Sequence, residues 1–307
     1  MASETFHERL STVYDRWLEK GAGFAGCNSL AIITGKIDQD EDIGYLKSYA
    51  LFTWLFGSEL QGTLLFLTKK SAKIVCKEED EQNVSKLVRK RAESATHKLD
   101  VVVTAYQAGT IKEALAGIDA PVGVLTKEKH HGDNIDELSE TLKAAEADQE
   151  NISEGLSLVM NVKDENELPL IKTAADLTCN VFKHFLLPEV EDILDRDKKI
   201  SHSRLSERVE NCILEPRRVK MGSLEARLCD PCYPPIIQSG GKYDLRPSAQ
   251  SDDKPLTAGC LICSLGARYR NYCSNAIRTY LIDASAEQER IYEALVESQA
   301  AAIGALK

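Results

Sequence analysis

The chain has 307 residues, long enough for two domains of ordinary size, and carries 48 acidic against 38 basic side chains. Its net charge of −10 repels polyanions and attracts basic proteins, so we expect no sequence-specific binding of nucleic acid. No stretch approaches the roughly 18 apolar residues that span a bilayer, and we expect no membrane partner.

The nine cysteines are spread through apolar segments, for example Cys179 in DLTCNVF and Cys263 in LICSL. An odd number of cysteines at irregular spacing does not fit the paired framework of a disulfide-rich secreted domain. The pattern predicts buried thiols in a reducing compartment, the cytosol or the nucleus. The opening residues MASETFHERLSTVYDRW also lack the apolar core of a secretory signal.

The first half of the chain alternates between helix and strand patterns. An opening amphipathic helix is predicted by apolar residues at helical spacing: Phe6, Leu10, Val13, Tyr14, Trp17 and Leu18. There follow a strand SLAIITG, a helix SYALFTWLFG that ends at Gly57, and a hairpin that turns at Lys69–Ser71. The strand-like segments LDVVVTAYQ, APVGVLTKE and GLSLVMNV then alternate with the helices TIKEALAGI and NIDELSETLKAAEA. This alternation over residues 1–162 predicts an α/β domain.

The second half begins after a change of composition in NVKDENELPL, which we interpret as a domain boundary. A long helix is predicted from about Leu168, with a break or kink at Pro188. ISHSRLSERVENCI predicts a second helix, with Ser201 or Ser203 as its N-cap. Strands and turns follow from DPCYPPIIQSGG, and the segment closes on the helix SAEQERIYEALVESQAAAIGAL.

Two CxxC pairs, CDPC at 229–232 and CLIC at 260–263, resemble the knuckles of structural zinc sites. Cys260 and Cys263 lie in a predicted strand, however, where residues three apart point to opposite faces. They therefore cannot both bind one ion. A zinc-stapled interaction domain stays an alternative interpretation that depends on these pairs alone.

The segment GCLICSLGARYRNYCSNAIRTYLID, residues 259–283, predicts two strands joined by a turn at Tyr269 to Asn271 with a two-residue loop. Ser264 and Asn275 then face the same side, directly or diagonally opposite, with Cβ atoms roughly 5–8 Å apart. Two carboxylates so placed would hold the divalent ions of a two-metal hydrolase. A hydroxyl and an amide carry no charge to offset such ions, so we expect no metal site.

The six histidines lie in helices or charged loops, and we interpret them as surface or hydrogen-bonded side chains: His7, His97, His130, His131, His184 and His202. None follows His202. We therefore expect the strand-rich second half to lack an imidazole base or metal ligand of its own.

The strand pair at 259–283 resembles that of the pita-bread fold, which is found in methionine aminopeptidase, aminopeptidase P, prolidase and creatinase. The resemblance implies that the metal-binding aspartates of the active peptidases fall at Ser264 and Asn275 here. It also implies that the histidine they carry would fall near Pro247 or Ser248. All of these positions hold residues of another type.

The chain is more similar to one branch of this M24 peptidase superfamily, the aminopeptidase-like N-terminal module of the larger subunit of the FACT histone chaperone. Four blocks carry this resemblance: WLFGSEL, KKISHSRLSERVE, KYDLRPSAQSDDKPLTAG and CSLGARYRNYCSNAIRT. It implies an α/β fold with a two-lobed creatinase/aminopeptidase-like architecture. We expect an N-terminal creatinase-like α/β lobe at 1–165 and a C-terminally truncated, incomplete pita-bread lobe at 166–307, its last helix lacking its usual cover.

The resemblance further implies a catalytically inactive, nuclear and chromosomal module without cofactors. Such a module would bind core histones and other peptides, and would pair with a high-mobility-group-box subunit to reorganise nucleosomes during transcription, replication and DNA repair. A vestigial peptide groove is predicted along Tyr243, Asp244, Ser264, Asn275 and Arg278, with the N-terminal lobe as an alternative histone surface. The alternative function is an active hydrolase of the creatinase or Xaa-Pro aminopeptidase kind.

Overall fold

The segment NVKDENELPL contains the division between two units of the chain, Met1–Lys163 and Asp164–Lys307. The computed structural model describes residues 2–19, 23–24, 26–36, 46–89, 97 and 99–306. Buried apolar clusters lie within each unit, so each has a core of its own.

The described part of the first unit forms one mixed sheet with helices. The helices are α1 (Ala2–Leu18), α2 (Lys47–Phe56), α3 (Glu78–Arg89), α4 (Thr110–Ala114), α5 (Asp133–Ala144) and α6 (Ser153–Asn161). The strands are β1 (Ser29–Ile33), β2 (Leu64–Thr68), β3 (Ser71–Cys76), β4 (Asp100–Ala105), β5 (Val122–Val124) and β6 (Gln149–Asn151). Their order in the sheet is β4-β3-β2-β1-β5-β6.

The central strands of this sheet are covered on both faces. Along β2, Leu65 and Leu67 join a cluster that includes α1, while Leu64 and Phe66 join another that includes α4 and α5. Because successive strand residues point to opposite faces, an unbroken apolar strand is the pattern expected for a sheet between two layers of helices. The predicted β2–β3 hairpin is confirmed. So is the end of α2 at Gly57, which adopts a left-handed φ of 74° and donates to Thr53 O.

The alternation of helix and strand fails at GLSLVMNV. This segment forms most of α6, which buries Leu156 and Val159 in the same cluster as α1. Its buried residues lie three apart, which is the helical period, and the adjacent Leu158 is 42% exposed. The prediction of a strand here is therefore wrong.

The second unit combines helices with two small sheets. The helices are α7 (Leu168–Val181), a π-helical turn (Phe182–Leu186), α8 (Leu187–Asp195), α9 (His202–Leu214), short 3₁₀ turns at Pro216–Val219 and Ala226–Leu228, and α10 (Ala286–Ala305). The strands are β7 (Cys229–Pro231), β8 (Ile236–Gln238), β9 (Gly259–Leu265), β10 (Ala267–Tyr269), β11 (Tyr272–Cys273) and β12 (Ala276–Ile282). They form the sheets β11-β10-β7 and β12-β9-β8.

The predicted break in the long helix is confirmed as a π-helical turn that ends at Leu186, two residues before Pro188. Proline has no N–H and its ring crowds the carbonyl four residues earlier, so the preceding turn widens. Leu187 N–H accordingly bonds to Phe182 O, five residues back. The N-cap of α9 is Ser201, whose hydroxyl accepts from Arg204 N–H at 3.2 Å.

The two small sheets share one long hairpin that passes from one sheet to the other at Gly266 and at Ser274–Asn275. The predicted two-residue loop is confirmed, since Tyr269 pairs with Tyr272 around Arg270 and Asn271. A Cβ atom at position 266 would lie 2.3 Å from the Ser274 carbonyl oxygen, so only glycine fits this crossing.

The crossing is also fixed to α7 by Thr178, which is 2% exposed. Its hydroxyl accepts from Ala267 N–H at 3.0 Å and bonds to the Ser274 hydroxyl, which in turn donates to Ala174 O at 2.8 Å. The backbone donors and acceptors freed where the strands change sheets are thereby satisfied.

The cysteines follow the prediction only in part. Cys263 is buried, as predicted, but Cys179 is exposed on α7. All nine cysteines are free thiols. Among the described residues, none of the helices combines the length and the apolar character needed to cross a membrane.

We predict that Gly266→Ala destabilises the second unit by about 1–3 kcal/mol, because the added methyl group forces backbone apart at the strand crossing. Urea unfolding followed by circular dichroism measures this change. Gly222→Ala is the matched control, since its nearest neighbour would be 3.7 Å from the new Cβ. Equal unfolding midpoints for the two variants would show that the crossing tolerates a side chain.

Candidate functional site

Tyr233 joins the two polar residues of the long hairpin. It lies between β7 and β8, and Pro234 after it favours an extended backbone at Tyr233. Its hydroxyl donates to Asn275 Oδ1 and is 2.7 Å from Ser264 Oγ, which therefore donates to the phenol. Ser264 is 8% exposed, and burial raises the pKa of Tyr233, so the phenol stays protonated at neutral pH.

The strand register explains why Ser264 and Asn275 meet. Ser264 pairs with Ile277, and Asn275 lies two residues before that partner. Positions two apart share a face, so the two side chains lie diagonally across the strand pair, as predicted. We refer to Tyr233, Ser264 and Asn275 as the neutral network.

The neutral network does not fit a pair of divalent ions. A hydroxyl, an amide and a protonated phenol supply no negative charge, and each already bonds to another member of the network. The residues that the structure describes contain no group of three or more His, Cys, Asp or Glu side chains placed to hold a metal. The arrangement can hold the strands together and donate hydrogen bonds, but it cannot activate a water molecule by charge.

A second polar cluster surrounds His202, the first residue of α9. The imidazole is 2% exposed, with Nδ1 2.6 Å from Asp252 Oδ1 and Nε2 2.7 Å from Ser239 Oγ. Backbone bonds fix the same contact, because His202 N–H donates to Lys254 O and Ser203 N–H donates to Asp252 O. His202 is thus a hydrogen-bonded side chain, as predicted.

The expectation that this half of the chain has no imidazole of its own is wrong. His202 precedes the strands in sequence, but α9 places it against Ser239, directly after β8. The order Asp252–His202–Ser239 is that of a serine-hydrolase triad. Ser239, however, is 7% exposed, and its Oγ already accepts from Thr257 N–H at 3.0 Å and from Thr257 Oγ1 at 3.2 Å. Both lone pairs of the Ser239 oxygen thus accept hydrogen bonds from Thr257, so the hydroxyl is not free to attack a substrate.

Beside His202 lies an open polar cavity of about 290 Å³. It is lined by His202, Gln238, Ser239, Lys242, Tyr243, Asp244, Gln250, Asp252 and Lys254. Tyr243 is fixed there by a 2.7 Å bond to Cys260 O, and Asp244 exchanges two hydrogen bonds with the Gln238 side chain.

Both acids of this cavity are ionised at neutral pH. A hydrogen bond from Lys254, with a second from His202, lowers the pKa of Asp252 to about 2. The Arg246 guanidinium lowers the pKa of Asp244 to about 2 in the same way. Each carboxylate already pairs with an exposed cation, Asp244 with Arg246 and Asp252 with Lys254, and Lys242 also lines the cavity.

Comparison with known proteins connects this geometry to a family. The family model of the FACT complex subunit SPT16 N-terminal lobe matches residues 1–155, and that of metallopeptidase family M24 matches residues 169–307. FACT complex subunit SPT16 of Arabidopsis thaliana is 37% identical over 323 residues, which cover 99% of this chain and 30% of that protein. The rice subunit is 35% identical, with the same coverage of both proteins. The chain belongs to the SPT16 family.

Solved structures agree with this assignment. The N-terminal domain of the chickpea SPT16 subunit superposes with a TM-score of 0.80 at 36% identity, covering 99% of this chain and 72% of that one. The X-Pro aminopeptidase of Thermotoga maritima superposes with a TM-score of 0.61 at 15% identity, covering 89% and 68%, and shows the fold alone. The expected creatinase/aminopeptidase-like α/β fold is confirmed. This SPT16-family chain spans about 30% of the length of the curated relatives it matches.

The residues of the predicted groove occupy three places in this SPT16-family chain. Ser264 and Asn275 meet at Tyr233, whereas Tyr243 and Asp244 line the cavity beside His202. Arg278 pairs with Cys263, the residue before Ser264. Because successive strand residues point to opposite faces, Arg278 lies on the face of the strand pair opposite to Ser264.

The sequence interpretation did not include Tyr233, Ser239 or Asp252. For Tyr233 a weak signal exists, because an aromatic residue before two prolines has a restricted backbone and a polar tip. For Ser239 and Asp252 no local signal exists, since their partner His202 is 37 and 50 residues away.

We predict that Tyr233→Phe destabilises the second unit by about 1–3 kcal/mol, because it leaves the buried Ser264 hydroxyl without its partner. The double variant Tyr233→Phe/Ser264→Ala should lose less than the sum of the two single losses, since both ends of the bond are then removed. A double-mutant cycle by urea unfolding measures this coupling. If the loss of stability in the double variant equalled the sum of the two single losses, the hydrogen bond between Tyr233 and Ser264 would be contradicted.

We also predict an acid-sensitive contribution from Asp252. Its pKa is lowered in the folded chain, so the carboxylate stabilises the fold above about pH 4, and this contribution is lost as the pH falls towards 2. In Asp252→Asn the urea midpoint should fall less steeply between about pH 5 and 2. Asp253→Asn is the control, because it removes the same charge from a carboxylate that bonds to Ser203 instead. Identical slopes in both variants would contradict the assignment.

Proposed function

We propose that this chain is a non-catalytic, peptide-binding module of a FACT-type chromatin chaperone and that its ligands are core histones. The observation that carries the proposal is the neutral network at Tyr233, Ser264 and Asn275, in a fold shared with metallopeptidases. Membership of the SPT16 family supports the chaperone role.

The absence of catalysis follows from the chemistry of these side chains. By resemblance, the metal-binding aspartates of active peptidases correspond to Ser264 and Asn275, and their histidine to a position near Pro247 or Ser248. Without carboxylates there, the module has no charge with which to retain divalent ions or to generate a hydroxide nucleophile. The Ser239 hydroxyl does not replace them, because Thr257 occupies its acceptor sites.

The cavity beside His202 is the place where we propose that a basic peptide binds. Asp244 pairs with Arg246 and Asp252 with Lys254, and both cations are more than 70% exposed. Exposed pairs of this kind contribute little to stability, so a lysine or arginine of a peptide can replace either cation at small cost. The net charge of −10 adds long-range attraction for basic proteins and raises their rate of association.

Within the family role, we further propose that the whole protein acts in the nucleus, on chromosomes. It would pair with a high-mobility-group-box subunit and reorganise nucleosomes during transcription, replication and DNA repair. These assignments depend on the relatives, because this chain spans only about 30% of their length.

We predict saturable binding when the chain is titrated with labelled core histones at about 0.15 M salt and followed by fluorescence anisotropy. Asp244→Lys should weaken binding several-fold, because it replaces one of the two carboxylates of the cavity by a cation. Glu191→Lys, at an exposed site on α8, makes the same change in net charge and should have a much smaller effect. Equal losses in both variants would show that only the overall charge matters and would contradict binding in the cavity.

The hydrolase alternative is tested on the same preparation with Xaa-Pro peptides and added manganese. We expect no cleavage. Metal-dependent cleavage that disappears in Asn275→Ala would overturn the proposal, because Asn275 would then be acting as a metal ligand.

A further inference from the structure

Cys232 reaches across a neighbouring strand. It lies in the bend after β7, where its N–H donates to Gly266 O at 2.9 Å. Its Cβ and Sγ atoms lie 3.3 and 3.4 Å from the point where a Cβ at position 266 would stand. Because Gly266 has no side chain, the Cys232 thiol passes over it and comes within 3.5 Å of Ser274 O.

This reach brings two thiols together that are far apart in sequence. Cys273, the last residue of β11, is exposed and directly precedes Ser274, whose carbonyl oxygen the Cys232 thiol approaches. Arg268 lies opposite Cys273 in the strand register, and its guanidinium, which also pairs with Asp230 at 3.0 Å, supplies a positive charge beside Cys273. An accessible thiol next to a cation and a second thiol is the arrangement in which oxidation is site-selective.

We propose that Cys232 and Cys273 form a dithiol modification site, which hydroperoxides oxidise to an intramolecular disulfide. The neighbouring Cys232 thiol, aided by Arg268, lowers the pKa of Cys273, which is also the more exposed of the two thiols. Cys273 is therefore the attacking thiolate, and Cys232 is the resolving thiol.

The chemistry balances with a hydroperoxide as the only oxidant. The Cys273 thiolate attacks the outer oxygen, an S–O bond forms, the O–O bond breaks and the alcohol leaves after taking a proton. The Cys232 sulfur then attacks the sulfenic sulfur, an S–S bond forms, and the S–O bond breaks. The departing hydroxide takes the Cys232 proton and leaves as water. Two electrons pass from the two thiols to one peroxide.

The disulfide would act directly on the neutral network. Cys232 is the residue before Tyr233, and Cys273 lies two residues before Asn275. A covalent link between them would fix the spacing of the two segments that carry the bond from Tyr233 to Asn275. It would also close a loop of roughly 40 residues, which restricts the unfolded chain and raises the melting temperature.

The test treats the whole 307-residue chain with hydrogen peroxide, blocks remaining thiols with N-ethylmaleimide and maps an unreduced digest by mass spectrometry. We expect a peptide that links Cys232 to Cys273, formed at least tenfold faster than oxidation of Cys179. Cys179 is an exposed cysteine outside this pair and serves as the internal control. Oxidation should raise the melting temperature by roughly 5 °C, and dithiothreitol should reverse the change.

Two single variants distinguish the attack of Cys273 on the peroxide from the closure of the disulfide by Cys232. In Cys273→Ser, the linked peptide and the thermal shift should both disappear, whereas Cys179→Ser should retain both. In Cys232→Ser, Cys273 should accumulate as a sulfenic acid that dimedone traps. The proposal is overturned if Cys232 stays alkylatable after Cys273 has been oxidised. It is equally overturned if Cys273 forms links between chains at the same rate as Cys179.

Discussion

The close contact between Gly266 and the Ser274 carbonyl determines where the other side chains of the second unit lie. At this crossing the long strands β9 and β12 leave one sheet, and their continuations β10 and β11 enter the other. Thr178 on α7 then bonds to both sides of the crossing. The missing Cβ of Gly266 therefore allows both the close approach of the Ser274 carbonyl and the passage of the Cys232 thiol over Gly266 towards that oxygen.

The neutral network holds the strands of the second unit together through hydrogen bonds between uncharged side chains. Polar groups that are buried without such partners would be costly. Here the Tyr233 hydroxyl donates one hydrogen bond and accepts another, so a single side chain satisfies partners on two strands. The local structure then depends on hydrogen bonds between neutral groups, which need no ion and do not titrate near neutral pH.

What the sequence reveals depends on how far apart the interacting residues are. Periodicity identifies α1, the β2–β3 hairpin and the break before Pro188, because each is decided by neighbours in the chain. The placement of Ser264 and Asn275 on one face is also predicted from neighbours in the chain, because the short turn between the two strands fixes their register. Prediction from neighbours fails for GLSLVMNV, where burial against α1 decides in favour of a helix. It also fails for Tyr233, whose partners are 31 and 42 residues away, because no local pattern records such contacts.

The cavity beside His202 and the neutral network lie at different positions along β9. Tyr243 is fixed to Cys260 O near the start of β9, whereas Ser264 lies four residues further along, about 13 Å away in an extended strand. In the function that we propose, a peptide held by Asp244 and Asp252 does not require charged groups at Ser264 or Asn275. Binding in the cavity and hydrogen bonding in the neutral network can then be changed independently by substitution, because the two groups of residues lie near opposite ends of β9.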